Sequence, residues 1–292
     1  MVGNVIYNGL GDFKGCDVLD GVVDGQIRNP LKCDFDPAKH IPACSDTSGP
    51  TCLTPSELTA LQEIYAGKEP FVPGMPFGLE NIPGGWSSWV LPNSPTGVPL
   101  LHGVIADAFE WLMFDPDRPG FDYLMEWNWN VEPFQMKNAE RIYDATDPNL
   151  LDVMLRGKKI LMYHGWGDPA ANAVRSIRYR ESVVDSLADK LHLKRRLNFV
   201  AENLTDRFLK LYLVPGMAHC GGGVGHSTVD WFSPLVDWVE HHRAPKEIIG
   251  TRDTSTGPST RPHCPYPQEA VWTGAGSTDD AANFVCKRVH DH

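Results

Sequence analysis

Apolar runs and amphipathic segments alternate in the second half of the chain. Residues 158–163 (KKILMY) and 208–214 (FLKLYLV) are short apolar runs with sharp ends, as in strands buried inside a parallel sheet. Residues 171–193 and 229–242 repeat their apolar positions at helical spacing. The order strand, helix, strand, helix predicts an α/β domain over residues 151–292.

The first half of the chain is patterned much less regularly. Residues 1–55 are rich in Gly, Asp, Pro and Cys, which predicts loops rather than helices or strands. The letters TPSE at 54–57 have capping-box spacing with Pro at the first helical position, so we expect a helix that ends at Gly67. Residues 103–114 predict a second helix. We interpret residues 1–150 as a separate, irregular domain pinned by disulfides.

Composition and charge narrow the class of protein. The chain has 292 residues, with 26 Lys and Arg against 37 Asp and Glu, so its net charge is −11. This acidic balance disfavours a nucleic-acid or anionic-membrane partner, because phosphates attract an excess of Lys and Arg. No apolar run approaches the ~20 residues that a membrane span needs. We therefore expect neither nucleic acid nor a membrane as a partner.

The cysteines indicate an exported protein. There are seven, and none forms a C-x-x-C pair, which disfavours zinc ribbons and thioredoxin-like chemistry. They are Cys16, Cys33, Cys44, Cys52, Cys220, Cys264 and Cys286. Their spacing is typical of local disulfides, yet the first residues (MVGNVIYNGLGDFKG) do not form a signal peptide. An odd, export-type set without an export signal predicts that part of the protein is missing from this sequence.

Three carboxylates stand close together near the N-terminus. Asp17, Asp20 and Asp24 lie within eight residues, and the glycines that follow Asp20 and Asp24 permit tight turns. Such carboxylates can converge on one hard cation, with main-chain oxygens such as those of Val22 and Gln26 completing the shell. The spacing is not that of an EF-hand. A calcium site and a solvated acidic turn both remain open at this point.

Two loops after predicted strands carry an acid and a base. Asp168 follows the first strand and His219 the second, which is the order of the last two triad residues in α/β-hydrolases. An Asp in this place can orient a catalytic His. It can equally cap the following helix, and a lone His in a Gly-rich loop is usually structural. His164 lies near the same loop and is either close to the site or a satisfied core residue.

A nucleophile-elbow motif is absent from the sequence. The G-x-S-x-G pattern that presents a catalytic serine at a strand-to-helix turn occurs nowhere in the chain. Two near matches, at residues 85–87 and 225–227, lack the second glycine. We therefore expect the serine of a triad to lie outside this sequence.

Five segments together resemble the tannase and feruloyl esterase family, which includes a mono-hydroxyethyl terephthalate esterase. They run in family order from residue 16 to residue 286. The segments are CDVLDGVVDGQIRNPLKCDFDP, TCLTPSELTALQEIYAG, KKILMYHGWGDPA, LVPGMAHCGGG and TRPHCPYPQEAVWTGAGSTDDAANFVC. The resemblance implies the C-terminal portion of an α/β-hydrolase sheet, preceded by a lid domain, and a secreted or periplasmic location.

The resemblance also assigns roles to residues. It implies Asp168 and His219 as triad acid and base, and a calcium ion held by Asp17, Asp20, Asp24 and the main-chain oxygens of Val22 and Gln26. It implies the disulfides Cys16–Cys33, Cys44–Cys52 and Cys264–Cys286. Cys220 is left unpaired, because its family partner belongs to a C-S-x-G-G segment that this sequence lacks.

We therefore predict a serine carboxylesterase acting on feruloyl or galloyl esters, of which this chain supplies the acid and the base. The missing N-terminal half of the hydrolase domain is the expected partner, and the chain alone is expected to be inactive. Aromatic lid residues are candidates for contacting a phenolic acyl group: Trp86, Trp89, Trp111, Trp127, Trp129 and Phe134. The alternatives are a non-catalytic, calcium-stabilised secreted binding module and an inactive remnant.

Overall fold

The computed structural model describes residues 1–45, 47, 49–92, 94, 96–194 and 198–289. Two compact units divide the chain: the first combines Met1–Gly85 with the chain from Pro148 onward, and the second is Trp86–Asp147. None of the helices in the described residues has the length and apolar character needed to cross a bilayer.

The N-terminal part of the first unit is built from short helices around a small core. The helices are α1 (Val2–Asn8), α2 (Pro37–His40) and α3 (Pro55–Ala66), with single 3-10 turns at Asp17–Asp20 and Pro30–Lys32. Strands β1 (Gly67–Lys68) and β2 (Val72–Pro73) form an antiparallel hairpin after α3. Residues 1–55, for which the sequence predicts loops, thus contain short helices. The core buries Ile6 and Phe35 beside the half-cystines Cys16 and Cys33.

The predicted capping box starts helix α3. The hydroxyl of Thr54 accepts the backbone N–H of Glu57, and the Glu57 carboxylate accepts the backbone N–H of Thr54 at 2.8 Å. Two backbone N–H groups that the helix leaves unpaired are satisfied in this way. The helix ends at Ala66, beside Gly67, as the sequence predicts.

The predicted α/β pattern is present after residue 148. A short helix, α9 (Leu151–Leu155), precedes strand β3 (Ile160–Gly165); helices α10 (Ala173–Lys190) and α11 (Asn198–Thr205) then lead to strand β4 (Leu209–Val214). The two strands pair in parallel, with Ile160 opposite Leu209 and Gly165 opposite Val214. Helix α10 buries Val183 and Leu187 against the start of β4.

Antiparallel strands complete the first unit. Strands β5 (Thr228–Val229), β6 (Ile248–Thr254) and β7 (Gly257–His263) form one sheet, and β8 (Gln268–Trp272) pairs with β9 (Phe284–Arg288). Helix α12 (Phe232–Glu240) lies between β5 and β6 in the chain. The backbone N–H of Tyr266 donates to the carbonyl of Leu211 at 2.7 Å, which joins this region to β4.

Ion pairs link residues 1–85 to the C-terminal part of the same unit. Glu269 lies 2.7 Å from Arg28 and 3.1 Å from Lys32, and Arg261 lies 2.9 Å from Asp24. The predicted boundary near residue 150 lies close to the observed division at 147/148. The structure differs in joining residues 1–85 to the α/β part, and the lid role of the first 150 residues stays a prediction.

The second unit is a small helical body. It contains α4 (Trp86–Trp89), α5 (Leu100–Trp111), α6 (Tyr123–Glu126), α7 (Glu132–Gln135) and α8 (Lys137–Tyr143). Helix α5 corresponds to the helix predicted over residues 103–114. Aromatic rings cluster in this unit: the ring centroid of Phe109 lies 4.6 Å from that of Trp127 and 5.7 Å from that of Tyr123.

Candidate active site

The loops that follow β3 and β4 meet at one edge of the parallel pair. Because the register places Gly165 opposite Val214, the chain leaves both strands at the same level. The backbone N–H of Gly167 donates to the carbonyl of Met217 at 2.9 Å and ties the two loops together. This approach requires glycine at position 165, where a Cβ atom would lie 2.3 Å from the carbonyl oxygen of Met217.

Asp168 and His219 are in contact. The Nδ1 atom of His219 lies 3.0 and 3.1 Å from the two carboxylate oxygens of Asp168. Asp168 is buried, whereas the side chain of His219 is 37% exposed. The structure therefore brings together the acid and the base that the sequence singled out, with the base at the surface.

The carboxylate of Asp168 is strongly held in its charged form. Burial alone would raise its pKa, but hydrogen bonds from His164, from the backbone N–H of Ala171, from His219 and from the N–H of Ala170 lower the pKa to about 2. The residue that caps α10 is Asn172, whose side chain accepts the N–H of Val174. Asp168 is therefore not the helix cap that the sequence left open as an alternative.

A glycine-rich turn presents His219. Gly216, Gly222 and Gly223 have positive φ angles of 65°, 68° and 82°, and the N–H of Val224 returns to the carbonyl of Gly216 at 2.9 Å. This closed turn holds its residues at the end of β4. Cys220, next to His219, also has a left-handed conformation, with φ 60°, and carries an exposed free thiol.

Three disulfides are present, with the pairing that the resemblance implies. They join Cys16 to Cys33, Cys44 to Cys52 and Cys264 to Cys286. The first closes the carboxylate loop and lies in the N-terminal core. The third links the end of β7 to β9.

The three carboxylates of the proposed calcium loop face different partners. Asp17 accepts backbone N–H groups from Asp24, Gly25 and Gln26. Burial raises the pKa of Asp17, and burial together with the neighbouring Asp24 charge raises that of Asp20 to about 6 despite the Val22 N–H and two arginines. The oxygen-only donor chemistry fits a hard cation. Within the described ranges, however, no three His, Cys, Asp or Glu side chains are arranged to hold a metal.

Gln26 has a structural role that its sequence context does not reveal. Its side-chain oxygen lies 3.3 Å from Nδ1 of His226, whose Nε2 lies 2.9 Å from the hydroxyl of Ser259. His263 contacts the carbonyl of His226 at 2.8 Å. Both histidines are buried, and burial is the main cause that lowers their pKa values, to about 3 and about 4. These contacts give both histidines a structural role.

The aromatic candidates lie in the second unit and differ in exposure. Trp86 is buried, and Trp127 lies between Phe109 and Trp129 in the ring cluster of that unit. Trp111 and Phe134 are more than half exposed. Contact of any of them with a substrate stays a prediction.

Known proteins resemble this chain over most of its length. A family model described as tannase and feruloyl esterase matches residues 11–287. An uncharacterized esterase of Xanthomonas campestris pv. campestris is 31% identical over 93% of this chain and 52% of its own length. The mono(2-hydroxyethyl) terephthalate hydrolase of Piscinibacter sakaiensis is 30% identical over 93% of this chain and 49% of its own.

A solved structure of an esterase also resembles this chain. The crystal structure of an esterase from Aspergillus oryzae matches with a TM-score of 0.72 and 25% identity, over 93% of this chain and 54% of that one. The chain thus spans about half the length of the proteins it matches.

Proposed function

Because the chain belongs to the tannase and feruloyl esterase family, we propose that it carries the acid and the base of a serine-type carboxylic ester hydrolase. The contact of Asp168 with Nδ1 of His219, at the adjoining ends of two parallel strands, is the observation that carries this proposal. A binding module has no need of a buried carboxylate aimed at an exposed imidazole.

The geometry supports different roles for Asp168 and His219 in the reaction. Asp168 is ionised, since its pKa is about 2, and its oxygens accept the Nδ1–H of His219. The ring is thereby kept in the tautomer whose Nε2 is basic. That nitrogen takes the proton of a hydroxyl nucleophile and later delivers it to the leaving alcohol, while the Asp168 charge stabilises the imidazolium formed in between.

The nucleophile, on this proposal, comes from a segment that is not in this sequence. The chain lacks a G-x-S-x-G motif, and it spans about half of its relatives. We propose that β3 and β4 are strands of an α/β-hydrolase sheet whose other strands carry the serine and the oxyanion donors. The 292 residues alone are then inactive on esters, and Cys220 has its disulfide partner in the same segment.

The substrates we propose are esters of aromatic acids. The family model carries the description tannase and feruloyl esterase, and the Piscinibacter relative is named as the hydrolase of a terephthalate ester. Ferulate, gallate and terephthalate share a carbonyl attached directly or through a double bond to an aromatic ring. We propose phenolic esters, feruloyl or galloyl, as the first class to assay.

We also propose that the loop carrying Asp17, Asp20 and Asp24 binds a calcium ion. Asp17, Asp20 and Asp24 with the main-chain oxygens of Val22 and Gln26 would hold the ion once their side chains turn towards it, and calcium would balance their charge without taking part in the reaction. Chelation should lower the melting temperature and added calcium should restore it, while Asp20→Asn should remove the response to calcium. Equal melting temperatures throughout would reject the calcium site.

Three disulfides are typical of secreted or periplasmic proteins, and we propose that location.

The activity proposal is tested by complementation. The purified chain is assayed on methyl ferulate, methyl gallate and p-nitrophenyl acetate, alone and with the separately expressed part of the Xanthomonas esterase that it does not match. Turnover is expected only in the mixture and is expected to be lost in His219→Ala. The matched control, His241→Ala, changes an exposed histidine that contacts Asp237 rather than Asp168 and should retain turnover. If the chain alone shows turnover that is lost in His219→Ala, the nucleophile lies within this sequence and that part of the proposal is refuted. If turnover is unchanged in His219→Ala, the assignment of His219 as the base is refuted.

A further inference from the structure

A second histidine approaches Asp168 from strand β3. Nε2 of His164 lies 2.7 Å from the carbonyl oxygen of Ala171 and 3.4 Å from Oδ2 of Asp168. On the other side of the ring, Nδ1 lies 2.7 Å from the hydroxyl of Ser176 in the first turn of α10. The side chain of His164 is 14% exposed and its contact with Ser176 is partly buried, whereas Ala171 lies at the surface.

The partners determine which ring nitrogen carries the hydrogen. A carbonyl and a carboxylate can only accept, so Nε2 is the protonated nitrogen. In the neutral ring Nδ1 then accepts the hydroxyl hydrogen of Ser176, which fixes the tautomer and the orientation of the ring. The shorter contact shows that the N–H points mainly at Ala171, with Asp168 a longer, second approach.

The Ala171 peptide links this ring to the acid. Its carbonyl accepts from His164, while its own N–H donates to Oδ1 of Asp168 at 2.8 Å, beside the N–H of Ala170. His164 therefore holds the turn from which Asp168 receives its two backbone hydrogen bonds. It also approaches Oδ2, the carboxylate oxygen closest to His219.

We propose that His164, oriented by Ser176, is a positioning residue that fixes the Asp168 carboxylate against His219. This inference rests on the proposed function of the Asp168–His219 pair and deepens it. Consistent with this role, hydrogen bonding by His164 is the largest of the effects that lower the pKa of Asp168 to about 2 against the opposing effect of burial. His164 and His219 are the titratable side chains that face Asp168 in the described part of the chain.

The test reads the site directly by nuclear magnetic resonance and does not depend on turnover. Histidine ring nitrogens and aspartate carboxyl carbons are labelled, and wild type is compared with His164→Leu, His164→Gln and the control His241→Gln. Wild type should show His164 as the Nε2–H tautomer, His219 with its hydrogen on Nδ1, and no titration of Asp168 down to about pH 4. His164→Leu should lose the single His219 tautomer, and the Asp168 midpoint should move up from about 2 towards 3.8.

The other variants keep the test decisive. His164→Gln retains an N–H donor and should restore the wild-type signals at least in part, and His241→Gln should change neither. If His164→Leu does not fold, Ser176→Ala supplies the test. In that variant the His164 ring loses the hydroxyl that orients it, so the signals of Asp168 and His219 should shift in the same direction as expected for His164→Leu.

Three results would overturn the proposal. The first is a folded His164→Leu protein with wild-type signals from Asp168 and His219; the second is the same result in Ser176→Ala. The third is a fluorophosphonate adduct on Ser176 that requires His164, since Ser176 would then be a nucleophile and His164 its base. Failure of the complementation assay with the expected NMR result would leave the positioning role supported and reject only the esterase reaction.

Discussion

Replacing Gly165 by alanine should separate the two loops of the site. The added Cβ atom would lie 2.3 Å from the carbonyl oxygen of Met217 and 2.8 Å from that of Ala218, both of them backbone atoms that cannot rotate away. Restoring a contact of about 3.0 Å requires a displacement of about 0.7 Å. The Gly167–Met217 hydrogen bond, now 2.9 Å, would lengthen to about 3.6 Å, beyond useful hydrogen-bonding distance.

The expected cost follows from this displacement. Forcing a methyl group into a packed site destabilises by about 1–3 kcal/mol, or about 2–4 °C in melting temperature for each kcal/mol in a chain of this size. Because the displaced loop carries His219, the complemented esterase should lose activity by a larger factor than its stability loss explains. Calorimetry and turnover on methyl ferulate measure the two effects.

A second glycine provides the matched control. Gly103 lies inside α5, where an added Cβ atom meets nothing within 4 Å. Gly103→Ala should therefore stabilise its helix by about 0.5–1 kcal/mol, since alanine has the lower entropy cost. Equal melting temperatures and activities for wild type and Gly165→Ala would refute the reasoning about close loop approach.

The disulfides, the core of β4 and a buried histidine of the first unit can each be tested. Thiol titration of the denatured, unreduced protein should count one group, Cys220; a count of three or more would contradict the disulfides. Leu211→Ala in the buried core of β4 should cost about 2–5 kcal/mol of unfolding free energy by chemical denaturation, and a loss below about 1 kcal/mol would contradict that burial. Burial lowers the pKa of His263 from 6.5 to about 4, so the unfolded chain takes up this proton first, and stability present above about pH 6.5 should fall by up to about 3 kcal/mol towards pH 4. His263→Gln should flatten that part of the curve, and an unchanged slope would exclude His263 as its source.

Elements whose signals are local could be predicted from the sequence. The capping box fixed the start of α3, and the apolar runs of β3 and β4 stand out because buried parallel strands are continuously apolar. The antiparallel strands β6 and β7 were not predicted. Their sequences, IIGTRDT and GPSTRPH, are mostly polar and contain glycine and proline, so pairing partners rather than patterning determine them.

The site was predictable in its components but not in all its contacts. Chain order indicated that Asp168 and His219 would meet, because the ends of parallel strands share one sheet edge. The support from His164 was not resolvable, since only the fold places Ser176 against its ring. The acidic loop shows the same limit: the spacing of its carboxylates is visible, but Asp24 faces Arg261, which lies 237 positions away along the chain.

The division of the first unit into two chain segments sets an order for oxidative folding. Cys16–Cys33 and Cys44–Cys52 join residues 17 and 8 positions apart, whereas the ion pairs that anchor this region wait for Arg261 and Glu269. At ~5–20 residues per second, ribosomes need roughly 10–50 s to bridge that gap. During this interval each of the four N-terminal cysteines has its correct partner at a high effective concentration, because the loops to be closed are short. Nascent chains of increasing length, acid-quenched and mapped by mass spectrometry, should therefore show these two disulfides before Cys264–Cys286, an order that limits scrambling.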